Sequence, residues 1–183
     1  MKKILIALAL IFPAFFAAAQ EIPAGMRMEL AEISENDDQF SIFKYKDEDG
    51  SVAYYLSVGR EFNVVEAVFG DVSNISLGHV DETVLCLGKT YDEAQAFLES
   101  MLALFDKEPG TSMEFPARLS VGAEKLGGES VANCIVVKRF LQGKHLLFHF
   151  ISGDHTGESE LSKANLKSLI SSLKIARKLH PEK

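Results

Sequence analysis

Three histidines, His145, His149 and His155, fall close together near the end of the chain and invite a metal reading. Their spacing argues against it. Positions i and i+4 of a strand lie about 13 Å apart, from a rise of about 3.3 Å per residue. Zinc–nitrogen bonds are about 2 Å long, so one ion cannot be held by both without a bulge. The expectation is half-exposed histidines on a sheet face and no metal site. Asp154 and His155, with Ser152, Thr156 or Ser159, supply the residue types of a nucleophile, a base and an orienter. Triad partners converge from separated segments, however, and no G-x-S-x-G is present. A hydrolase or metal-dependent enzyme using residues 145–159 is therefore kept as the alternative reading.

Other patterns carry less chemistry. Cys86 and Cys134 each sit in an apolar, β-branched run, outside any C-x-x-C and with no neighbouring histidine. They read as buried thiols, with a single disulfide as the rival. Gly88-Lys89-Thr90 resembles the end of a phosphate loop, but the glycine required five residues earlier is Thr83. Asp47-Glu48-Asp49-Gly50 lacks the spaced oxygens and terminal glutamate of a calcium loop, so it reads as a hairpin tip. No cofactor is indicated.

Aromatic residues give the remaining candidate surface. Phe40, Phe43 and Tyr45 precede the Asp-Gly turn, and Tyr54 and Tyr55 follow it, so this hairpin is aromatic on both faces. One face should meet the core. The other is either covered by the first thirty or so mature residues or free to bind a protein, peptide or glycan. Tyr45, Tyr54, Tyr55, His145, His149 and His155 are thus the candidate binding residues.

The elements that must position these residues are legible in part. Met26, Met28 and Leu30 alternate with polar neighbours as a weak strand, and Ser34 to Asp38 is a polar break. Phe40–Lys46 and Ser51–Val58 form the aromatic hairpin. Glu61 to Phe69 fits helix or strand. Ile75–His79 and Thr83–Leu87 read as two strands around a turn at Asp81-Glu82. A helix starts at Thr90, where Thr90 and Glu93 form a capping box. Met113–Leu119 alternates around Pro116, which points to an edge or a bulge. Gly122–Gly128 reads as a turn-rich link, Val131–Phe140 and His145–Ile151 as a second hairpin, and Gly153–Ser159 as a loop. A final helix begins near Ser162.

Placing Thr90 over Ser162 puts Ala94 on Leu166, Phe97 on Leu169, Leu98 on Ile170 and Met101 on Leu173. This suggests two strand-strand-strand-helix units, about 40–106 and 112–178. Generic amphipathic spacing offers the simpler account of the same match. The fold expected either way is α+β, a mainly antiparallel sheet of hairpins with two helices packed on one face.

Residues 1–19 have the form of a secretory signal peptide: Lys2-Lys3, an apolar stretch from Ile4 to Phe16, then Ala17-Ala18-Ala19. The apolar stretch is too short to span a bilayer. Removal leaves 164 of 183 residues, one α+β domain, and loses two lysines, so the formal charge falls from −7 by two, to −9. Such an acidic surface disfavours nucleic acid and adhesion to anionic lipid. The expectation is an exported, periplasmic or secreted, non-catalytic protein that binds a protein, peptide or glycan. A subunit of an envelope assembly is a further alternative.

Overall fold

The computed structural model describes residues 22–35, 38–65, 76–121, 125–152 and 155–181. The expected signal peptide lies outside them. Among the described residues the chain forms β1 (Met26–Glu35), β2 (Asp38–Lys46), β3 (Val52–Val65), β4 (Ser76–Gly88), α1 (Tyr91–Leu102), β5 (Ser112–Val121), β6 (Lys125–Arg139), β7 (Gly143–Ser152), β8 (His155–Ser162) and α2 (Lys163–Leu179). The strands make one antiparallel sheet in sequence order, β1 through β8. The sheet curls enough for Ser159 of β8 to donate to the Gly59 carbonyl of β3 at 3.1 Å. The class is α+β.

Four expectations change. Asp81-Glu82 is no turn: both lie inside β4, paired with Arg60 and Gly59 of β3. Alternation continues through these acids, so polarity alone misplaced the break. Of the ambiguous 61–69 stretch, residues 61–65 belong to β3, and the rest lie outside the described residues. Gly127 and Gly128 are within β6, in a bulge. The 153–159 stretch read as a loop ends in strand: β8 starts at His155 and is an edge, buried on one face through Ser159 and Leu161. An edge strand with one wet face tolerates polar residues. As a result four strands, rather than three, precede each helix.

The core follows from period-two alternation. Tyr54, Leu56 and Val58 of β3 point to one face, with Phe40 and Ile42, Leu85 and Leu87, Phe115 and Ala117, Cys134 and Val136, Leu146 and Phe148, and Leu161. The same cluster takes in Ala94, Leu98 and Met101 of α1 and Leu166, Leu169, Ile170 and Leu173 of α2. The helices run antiparallel, tied by Asp92–Arg177 at 2.6 Å, Glu99–Lys174 at 3.5 Å and Asp106–Lys163 at 3.5 Å. Arg177, in the last turn of α2, thus reaches the start of α1. Thr90 and Ser162 are the N-caps, accepting from Glu93 N and Asn165 N at 3.2 and 3.1 Å. Glu93 departs from the capping-box pattern by reaching back to the Lys89 amide at 2.6 Å.

Candidate functional site

The opposite face of the sheet carries a second, smaller cluster of Phe43, Tyr45, Tyr55 and Val84, with Ala53, Cys86 and Leu126 against it. Register builds it: Phe43 pairs with Tyr55, Tyr55 with Cys86, and Tyr45 with Ala53. The Phe43 and Tyr55 rings stack at 5.6 Å, and Tyr45 meets Tyr55 edge-on at 6.3 Å. Two guanidiniums lie over this layer, Arg27 at 5.2 Å from the Phe43 centroid and Arg118 at 5.7 Å from that of Tyr45.

Arg118 is the pivot. It sits where β4 and β5 pair through only two residue pairs, Val84 with Arg118 and Leu85 with Ala117. Pro116 lies two residues before Arg118 on β5, and it has no amide hydrogen to give to a ladder. On the other side of Arg118, β6 bulges: Arg118 pairs with Glu129 and Ser120 with Leu126, leaving Gly127 and Gly128 outside the ladder. The guanidinium fills the gap. Its Nε donates to the Gly127 carbonyl at 2.8 Å and its Nη2 to that of Leu126 at 3.3 Å. Its Nη1 donates to Asp47 Oδ2 at 2.6 Å and to the Tyr55 hydroxyl at 3.4 Å. Burial works against the charge of Arg118, but its bonds to Asp47 and Tyr55 outweigh that and raise its pKa. Arg118 is therefore a strut between β2–β3, β5 and β6, with four of its five N–H donors committed inside the protein.

Beside this strut opens a pocket of about 400 Å³ lined by Tyr55, Cys86, Arg118, Gly127, Gly128 and Glu129, with Asp47, Ser51 and Lys89 at its edge. Its walls carry both signs of charge. Burial pushes the Cys86 thiol above its ordinary pKa; Arg118 opposes this and Glu129 adds to it. Cys134, in the main core, is pushed up to about 12 by burial alone. Both cysteines are free, and they lie on opposite faces of the sheet, so the disulfide reading fails.

A polar knot adjoins the cluster. Glu82 accepts from the Ser57 hydroxyl and, at 2.8 Å, from Ser120, and Arg27 approaches it to 3.6 Å. The carboxylate thus stitches β3, β4 and β5 together beyond the short β4–β5 ladder. Arg27 also pairs with Glu29 at 3.0 Å. Burial raises the pKa of Glu29 against the opposing charge of Arg27.

No family model, curated protein or solved structure matches this chain.

The six expected binding residues are not brought together. Tyr54 belongs to the main core at 1% exposure, and Tyr45 and Tyr55 are 3% and 5% exposed in the second cluster. Of these only Tyr55 lines the pocket. His145 and His149 lie on β7, away from the inward Leu146 and Phe148. His149 pairs with Glu158 at 3.2 Å, both side chains well exposed. His145 Nδ1 is buried without a hydrogen-bond partner among the described residues. His155 opens β8 opposite Ser152, while Asp154 lies outside the described residues. Among the described residues no group of three His, Cys, Asp or Glu side chains is placed to hold a metal ion. Reading the sequence missed Arg118, Gly127-Gly128 and Glu129. Their signal was the glycine pair, taken for a link.

Proposed function

We propose that this chain is an exported, non-catalytic binding protein of the cell envelope, and that its pocket takes a short peptide segment of a partner. One observation carries the reading: the pocket beside Arg118 is open and mixed in charge, and four of the five N–H donors of its central cation are already engaged within the protein. A bound group is thus not captured by a free guanidinium. It meets the exposed Glu129 and Lys89 together with the Gly127-Gly128 bulge. Opposed charges beside irregular backbone suit a segment that itself carries a donor, an acceptor and charges of both signs. A glycan is supported less well, because the tyrosine rings are buried and present no stacking face. The enzyme alternative at 145–159 has only the exposed His149–Glu158 pair in its favour.

The test is selection of a random peptide library on the exported chain, followed by binding measurements. Gly128 lines the pocket and a Cβ added there meets nothing within 4 Å, so Gly128→Phe adds bulk at the pocket with no clash at its Cβ. The variant should keep its melting temperature and lose at least about tenfold in peptide affinity, the loss expected when an occupied pocket is blocked. Bound peptide should also slow alkylation of Cys86. Peptides that bind Gly128→Phe equally well would move the site elsewhere. An intact mass that still includes residues 1–19 would remove the export part.

We further infer that both helices pack on one face of the sheet and that the chain is an internal duplication of four strands and a helix. The shared core cluster supports the first point, and the equivalent caps Thr90 and Ser162 support the second. An experimental structure with the helices on opposite faces would remove both.

A further inference from the structure

The turn between β6 and β7 breaks three local rules at once. Phe140 and Leu141 project from it at 90% and 91% exposure, the two most exposed large apolar side chains among the described residues. Leu141 has φ 63°, a left-handed backbone that Gly or Asn adopts far more readily, and it is the one non-glycine residue with positive φ among those described. Directly below the turn Lys138 faces Lys144 across the ladder, a like-charge pair that opposes strand pairing. A stability-driven choice would place Asn-Gly at the turn and opposite charges beneath it. Features that contradict local preference together at one place mark function.

We propose that this turn docks on a bilayer: Phe140 and Leu141 enter the boundary between headgroups and acyl chains, and Lys138 and Lys144 rest on anionic headgroups. The tip is narrow and convex, so a flat protein surface could not bury both side chains, whereas lipid can yield around them. An apolar point with a cationic collar is complementary to an anionic interface. Lys144 Nζ donates to the Lys107 carbonyl at 2.6 Å, which holds it beside a further lysine. The nearby Arg139 is paired with Glu160 and Lys163 with Asp106. The formal charge, −7 for the full sequence and two lower, −9, without residues 1–19, opposes approach, but charges beyond a Debye length, about 8 Å at physiological salt, are largely screened. The collar therefore governs contact.

The chain contains no tryptophan, so Phe140→Trp creates a single indole reporter at the tip. With vesicles of phosphatidylethanolamine and phosphatidylglycerol, its emission should shift to the blue and be quenched by brominated acyl chains. Phe140→Ser with Leu141→Asn should lower vesicle partitioning of the chain by about a hundredfold, the loss of two buried apolar side chains. Lys138→Gln with Lys144→Gln should lower it by roughly tenfold, and only on anionic vesicles. These side chains are outside the core, and Asn tolerates the backbone at 141, so an unchanged or higher melting temperature verifies folding. An indole that stays solvent-exposed with vesicles, or partitioning undiminished by either double variant, overturns the proposal. So does an indole shift that appears only when an envelope protein is added, which would place the tip in a protein socket.

Discussion

At the residue scale, Arg118 matters most, because four separate groups depend on its one guanidinium. Asp47, the Tyr55 hydroxyl and the carbonyls of Leu126 and Gly127 all lose their donor if it is removed. A partly buried carboxylate and carbonyls left unsatisfied each carry a desolvation penalty. Arg118→Gln should therefore destabilise the protein by about 2–3 kcal/mol in urea unfolding, well above an exposed ion pair. The Arg139–Glu160 pair is the contrast. Its arginine is exposed, and its removal should change little. A loss under about 0.5 kcal/mol for Arg118→Gln, the level of an ordinary surface change, would mean that water replaces the strut at no cost.

At the element scale, the β2–β3 hairpin shows turn chemistry acting alone. Gly50 has φ 86°, and a Cβ added there meets nothing within 4 Å. Steric crowding is absent, so the backbone conformation is the whole penalty of substitution. Gly50→Val should cost about 1–2 kcal/mol, seen as a lower melting temperature, and Gly50→Asn clearly less. Equal losses for Val and Asn would point to a tertiary role for the turn. The same element shows what was readable. Asp-Gly between alternating aromatic runs announced the hairpin, and Tyr54 and Tyr55 fell on opposite faces as alternation requires. The readings that failed, at Asp81-Glu82, Gly127-Gly128 and 155–159, all took polarity or glycine as a break. In each case strand pairing carried the chain through. Neighbouring strands can satisfy backbone groups whatever the side chains are, so local composition alone cannot mark such a boundary.

At the scale of the whole molecule, the second face of the curled sheet shifts the titration of one carboxylate. Burial raises the pKa of Glu29, so its ionised form is less favourable in the folded protein than in the unfolded chain. The sign follows directly. Above its raised folded value the ionised Glu29 penalises the fold in full, and the penalty disappears as pH falls into the ordinary carboxylate range. Glu29→Gln should therefore stabilise the protein near neutral pH, with the gain fading as the acid protonates in wild type. Thermal unfolding of both proteins across this pH range checks it. Destabilisation at neutral pH would show that the bond to Arg27 outweighs the burial. Glu160 has the opposite sign: Arg139 lowers its pKa, so its contribution is lost as pH falls.

The sequence by itself determined what depends on neighbours along the chain. It marked the two helices and their caps, the aromatic hairpin, the buried thiol of Cys134 and the α+β class, because periodicity, capping and turn chemistry act over a few residues. The tertiary structure alone decided which strands pair, where the sheet curls, and that Arg118 meets Asp47 across 71 positions of sequence. It also decided that the tyrosines expected at a binding surface are buried, and that a glycine pair opens a pocket. Those outcomes depend on register and curvature, which arise from contacts between distant segments.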